Sequence, residues 1–339
     1  MRSIQITSNE GLAGLTFVER EPAAQLTPQQ VRVKVRAVSL NQRDVMIATG
    51  KYPRAVKDGV VPTSDFSGEI LEVGEGVSEW QPGDRVMSTF YQNWQDGTCS
   101  PEKVLPNYGS DVDGMLQEEV VLDASCLARV PGNLDFIHAC TLPCAGVTAW
   151  NALFGGRQLD PGSTVLLLGT GGVSIMALQL AKAAGMRVLI TSSSDEKLAR
   201  ARELGAHGTI NYRSTPEWQQ EVKRLTGGRG ADHVLEVGGE QTVTRSVESL
   251  AMGGSVAIIG GVSGFTGQFD PMLLFFGAKQ MRGILVGSKA MFRQLCALIE
   301  TADIQPIVDR VFEFEQVVDA FDYLSSGTHF GKVVIQVAK

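Results

Sequence analysis

Along its first third the chain alternates apolar and polar residues at period two. The segments "VRVKVRAVSL" (31–40), "GEILEVGEGV" (68–77), "GDRVMSTF" (83–90) and "LQEEVVLD" (116–123) read as strands with one face in a core and one in water. They predict an antiparallel sheet or barrel over about the first 125 residues. From Ser163 the texture changes. Short continuous apolar runs, "TVLLLG", "RVLITS", "GTINY", "HVLEVGG", "SVAIIGG" and "RGILVG", alternate with helical patterns, as expected of strands buried on both faces of a parallel sheet with helices on each side.

The helices carry their own punctuation. One runs from about Gly172 to Gly185. A capping-box pattern, Ser193 to Glu196, opens a second that stops at Gly205, and Thr215-Pro216 reads as an N-cap and first turn of a third that ends at Gly227. After about Val286 the chain predicts a helix ("AMFRQLCALIETA"), a strand ("RVFEF"), a helix ("QVVDAFDYLSSG") and a last strand ("KVVIQV"), a tail expected to pack on the first domain. No internal repeat or low-complexity segment interrupts this order.

Composition narrows the class. At 339 residues the chain exceeds what one core usually supports, so two domains with a cleft between them are expected. A net charge of -7 without a run of like charges argues against nucleic acid and anionic membranes as partners. The N-terminus lacks a signal-peptide core, and no apolar run approaches the roughly 20 residues of a spanning helix, so a cytoplasmic protein is expected. Five cysteines, Cys99, Cys126, Cys140, Cys144 and Cys296, include no C-x-x-C pair, and four histidines form no metal-spaced pair; reduced thiols without zinc are expected.

"TVLLLGTGGVSIMALQLAKAAG" places Gly169-x-Gly171-x-x-Ser174 between a strand and a helix, the setting that turns a weak glycine motif into a dinucleotide-binding one. Gly169 permits the turn, Gly171 lets the backbone approach a pyrophosphate, and Ser174 is small enough for helix and strand to pack. At the end of the second strand, where NAD sites usually present a carboxylate, stand Ser192, Ser193 and Ser194, with Lys197 one turn later. Small hydroxyls leave room for a 2'-phosphate, which favours NADP(H). Asp195 and Glu196 lie close by, where they also complement the helix N-terminus.

The whole chain resembles the medium-chain dehydrogenase/reductase superfamily. "PTSDFSGEILEVGEGVSEWQPGDRV", "LPCAGVTAW", "GTGGVS" and "FGKVVI" carry the likeness. It implies an α/β architecture: a GroES-like antiparallel β-barrel catalytic domain over 1–145 and 286–339, and a Rossmann doubly wound parallel sheet over 146–285 that binds NADP(H). It also implies a homodimer joined at the Rossmann sheet edge, through the strand corresponding to "RGILVG". Zinc-dependent relatives have cysteine at Asn41, histidine at Ser64 and glutamate at Asp65. Of that shell this chain keeps Cys144 alone, and the lobe after "GDRV" holds only Cys99, so neither a catalytic nor a structural zinc is expected.

The sequence is similar instead to the zinc-independent branch of quinone oxidoreductases and enoyl reductases, sharing Asn41, Asp44, Gly50, Tyr52 and Pro53 in one segment. That branch implies a small apolar conjugated carbonyl or quinone as substrate. Tyr52, Asn41, Asp65 and Thr148 are the candidate catalytic residues. Tyr52 would donate a hydrogen bond or proton to an enolate, or else pack under the Gly50 turn; Asn41 would orient ribose or carbonyl, or else satisfy a turn. Arg43 with Asp44 or Asp65 reads as a structural ion pair. Cofactor contacts are expected from Gly169, Gly171, Gly172, Val173, Ser174, Ser192, Ser193, Lys197, Tyr212, Gly238, Gly260, Val286, Gly287 and Lys332. Phe265, Phe269, Phe275 and Phe276 would form a substrate wall or an oligomer contact. Two other readings stay open: an alcohol, aldehyde or ketone dehydrogenase, and a non-catalytic NADPH-binding protein.

Overall fold

A computed structural model describes every residue except 8–10, 22–24, 265, 267 and 339. The chain forms two compact units, Met1–Val147 with Gly287–Lys339, and Thr148–Val286. In the first, a seven-stranded sheet runs in the order Val308–Glu313, Lys332–Gln336, Gln30–Ser39, Asp65–Val73, Arg85–Ser88 and Leu127–Arg129, with Glu119–Asp123 also paired on Gln30–Ser39. The long strand is shared: residues 30–34 face Glu119–Asp123, whereas residues 37–39 face the C-terminal strand. Pairing is antiparallel except between the last two strands, which are parallel to each other.

Alternation does the expected work here. Val31, Val33, Val35 and Val38 point inward, meeting Phe66, Ile70, Phe314, Phe321, Val333 and Ile335 in one core. Each fully buried phenylalanine contributes about 2–3 kcal/mol relative to exposure. Arg2–Ile6 pairs with Leu15–Glu19 in a small separate sheet, which the sequence pattern did not predict.

The second unit holds six strands in the order Gly208–Asn211, Arg187–Ser192, Thr164–Leu167, Ala231–Glu236, Leu250–Ile258 and Gln280–Gly283. Every pairing is parallel. Thr164–Leu167 and Ala231–Glu236 are buried along their full length, which explains the apolar runs Val165–Leu167 and Val234–Leu235 at their centres. Strand order reverses between these two neighbours, and in such a sheet ligands bind beyond the carboxyl ends at that reversal.

Helix starts differ from expectation in two places. The second helix, Asp195–Glu203, is capped by Ser194, whose Oγ accepts from the Lys197 N–H, so the capping-box pattern from Ser193 is displaced by one residue. The third begins at Trp218, two residues after Pro216; the Gln220 N–H reaches back to the Glu217 carbonyl at 2.9 Å, a tighter turn than an α-helix uses. Phe265 lies outside the described residues.

Candidate active site

The helix Gln42–Ala48 places the first group of candidates. Asn41 caps it in an extended conformation, and the Asp44 carboxylate accepts from the Asn41 backbone N–H at 2.8 Å. That leaves the Asn41 side chain free to turn inward. Its Nδ2 donates to Asp65 at 3.0 Å, and its Oδ1 accepts from the Lys332 ammonium at 2.6 Å. Lys332 also donates to the Leu40 carbonyl at 2.7 Å.

Asp65 is the hub. Fully buried at the start of its strand, it accepts from Ser39 Oγ, Asn41 Nδ2, Ser64 Oγ and the Cys144 backbone N–H at 2.7 to 3.2 Å. A buried carboxylate persists only when its lone pairs are so filled. The preceding backbone is held by shape: Thr63 sits at φ 73, and a Cβ on Gly114 would come within 1.9 Å of its carbonyl oxygen.

Beside the hub, the Arg43 guanidinium lies over the Tyr52 ring at 5.6 Å and the Phe90 ring at 5.3 Å. It meets Asp44 at 3.4 Å and donates to Ser110 Oγ at 3.1 Å. Burial works against its charge, yet Asp44, Tyr52 and Cys144 more than offset this and hold it above its ordinary value. Burial lifts the Asp44 carboxyl to about 6, with Arg43 and the Asn41 amide pulling downward. Burial likewise lifts the Cys144 thiol far above its ordinary value, and Asp65 adds to that. Tyr91, raised by burial and by Cys144 and Tyr52, completes a group that the sequence had not connected. An open groove of about 380 Å³ reaches Tyr52 along Ile6, Ile47, Gly50, Arg54 and Val60; Asn41, Asp65 and Cys144 do not line it.

These donors do not suit a zinc ion. Zinc takes three or four protein ligands of Cys, His, Asp or Glu type, whereas here stand an amide already engaged by an ammonium, a hydroxyl, one thiol and a carboxylate accepting four hydrogen bonds. Among the described residues no three His, Cys, Asp or Glu side chains gather as metal ligands.

The second unit carries the dinucleotide motif. Gly169 adopts φ 70 after the strand, a conformation that favours glycine. Gly171 caps the helix Gly172–Ala183, whose first residues, Gly172, Val173 and Ser174, present the free amides of an anion-binding turn. Ser174 Oγ donates to the Leu168 carbonyl at 2.7 Å, tying helix to strand. The Tyr212 N–H bonds to the Ser192 carbonyl at 3.0 Å, bringing Tyr212 beside Ser192, Ser193 and the first turn that bears Lys197. The residues present therefore fit a dinucleotide.

Glu236 was missed. Fully buried at the end of its strand, it accepts from the Gly238 and Gly239 N–H groups, Thr242 Oγ1 and Ser246 Oγ, fixing the loop after the strand. An acidic residue inside the apolar run "HVLEVGG" was the available signal. Gly260 follows the neighbouring strand, and its N–H reaches the Glu236 carbonyl. Val286, at φ 37, accepts from Asn151 Nδ2 at 2.9 Å, and Gly287 is buried next to it. Thr148 is buried in the first turn of the helix Val147–Phe154. Lys332, expected among the cofactor contacts, is engaged within the Asn41 cluster.

A parallel sheet with a glycine-rich turn, joined in one chain to a largely antiparallel unit with a buried polar hub, is an arrangement shared with two-domain oxidoreductases. Residues 27–132 match the alcohol dehydrogenase GroES-like domain and residues 172–301 the zinc-binding dehydrogenase domain. The chain is 46% identical to a zinc-type alcohol dehydrogenase-like protein of Schizosaccharomyces pombe over 94% of each sequence. It is 31% identical to an acryloyl-coenzyme A reductase of Metallosphaera sedula, covering 90% of this chain and 92% of that one. A crystal structure of an NAD-dependent alcohol dehydrogenase superposes over the full length of both chains with a TM-score of 0.91 at 33% identity. The chain belongs to the medium-chain dehydrogenase/reductase superfamily, and it is an enzyme.

Proposed function

We propose that this enzyme is a zinc-independent, NADPH-dependent reductase of small α,β-unsaturated carbonyls or quinones. The observation that carries the reading is the Asp65 hub: the positions where zinc enzymes of the superfamily hold metal are filled by hydrogen-bonding groups already satisfied by one another. Without a Lewis acid, hydrogen bonds must stabilise the charge that develops on the acceptor. A conjugated acceptor asks least of them, because its enolate spreads the charge itself. The bound nicotinamide supplies hydride to the conjugated carbon. Tyr52 donates a hydrogen bond to the resulting oxyanion and gives the proton that completes reduction, recovering it from water.

NADPH is favoured over NADH by the hydroxyls of Ser192 and Ser193 with Lys197 and Tyr212. The competing carboxylate supports this, since Asp195 accepts from Asn211 Nδ2 at 2.8 Å and stands in the first turn of the helix that Ser194 caps. The acryloyl-coenzyme A reductase relative reduces a conjugated thioester by its name, in keeping with the reading. Similarity to an NAD-dependent alcohol dehydrogenase favours a second one, interconversion of alcohols with aldehydes or ketones.

The test is NADPH consumption by chelator-treated protein against 2-alkenals, enones and quinones with matched saturated ketones, products identified by mass and NMR. Turnover of conjugated acceptors that resists chelation, with NADH much poorer and Tyr52→Phe reduced about 100-fold or more, is expected. Reduction confined to saturated carbonyls, or abolished by the chelator, would return the enzyme to the alcohol dehydrogenases.

A further inference from the structure

Arg43 is a charged side chain, nine-tenths buried, for which the proposed reaction has no stated use. Its surroundings assign one. The guanidinium lies over the Tyr52 ring and over Phe90, and Phe90 in turn packs edge-on against Tyr91 with centroids 4.7 Å apart. Asp44 and Ser110 hold two of its nitrogens, and Asp44 is itself bonded to the Asn41 backbone. A continuous path therefore runs from the Asp65 hub through Asn41, Asp44 and Arg43 to the face of the Tyr52 ring.

We infer that Arg43 is a positioning residue, locking the Tyr52 phenol in the orientation from which it serves the acceptor; this rests on the reading of Tyr52 given above. The chemistry calls for arginine. A planar guanidinium stacks on an aromatic face while its edge binds two separate oxygens, whereas a lysine ammonium is a point charge that cannot do both. An ion pair alone would need only Asp44. Contact with two rings, Asp44 and Ser110 makes the side chain a bracket beside the tyrosine.

A double-mutant cycle in the full-length enzyme with NADPH and a 2-alkenal tests this. Arg43→Met is expected to lower kcat about tenfold with KM for NADPH within about twofold, and Arg43→Lys to recover little of it. In a Tyr52→Phe background the same Arg43 substitutions are expected to change kcat less than about twofold, because the group they position is gone. Multiplicative losses would overturn the inference while leaving the Tyr52 reading intact. Full activity of Tyr52→Phe alone would overturn both. Independently of turnover, in protein labelled with 3-fluorotyrosine the Tyr52 fluorine resonance, assigned by its loss in Tyr52→Phe, is expected to shift in Arg43→Lys, the variant less disruptive to folding. An unmoved resonance would also overturn the inference.

Discussion

Lys332 shows how one residue's chemistry sets a local cost. Its buried ammonium bonds two acceptors, the Leu40 carbonyl and Asn41 Oδ1. Lys332→Met keeps the stem and leaves both acceptors unpaired, so a loss of about 2 to 3 kcal/mol is expected from urea unfolding; an unchanged midpoint would mean water replaces the ammonium without penalty. At this scale the sequence was legible where motif and backbone coincide, as at the Gly169 turn and the Gly171 cap. The resemblance put Asn41, Ser64, Asp65 and Cys144 in one shell, but Ser39 and the hydrogen bonds onto Asp65 were not legible, because no local pattern announces which distant hydroxyl or amide will fill a lone pair.

Among the elements, periodicity revealed most strands of the two large sheets and several of the longer helices, since burial on one or both faces writes itself into composition. Element ends were less legible. Ser193 and Ser194 are equally good caps by type, and only packing selected Ser194. One strand makes a pH prediction. His233, on Ala231–Glu236, donates from Nε2 to the Ala152 carbonyl and accepts from Ser255 at Nδ1. Burial, reinforced by Arg282 and Arg157, lowers it to about 4. The unfolded chain therefore takes up a proton first as pH falls below 6.5; stability is intact above that pH and drops through the window, by about 3 kcal/mol once pH 4 is passed. Denaturant curves at pH 7.5 and 4.5 should show this loss and His233→Gln should flatten it. Equal slopes in both proteins would refute the assignment.

For the whole molecule, the two large sheets and the superfamily were readable, whereas assembly came only as a dimer implied by the resemblance. Gln280–Gly283 ends its sheet with one side unpaired, and nearby Phe275 and Phe276 are 71% and 75% exposed. We propose that a second copy covers this edge, as sheets rarely leave one bare beside exposed aromatics. Light scattering should report a dimer that Phe276→Asp dissociates; a wild-type monomer would dismiss the idea. Among the described residues no helix is long and apolar enough to cross a membrane.

The sequence of the first unit is interrupted by that of the second, and Lys332 bonds to an asparagine 291 residues earlier. On a ribosome adding about 5 to 20 residues per second, those two partners are made about 15 to 60 s apart. The second unit is synthesised in that interval, while Asn41 waits for its lysine. The second unit is thus complete only shortly before the polar hub can close.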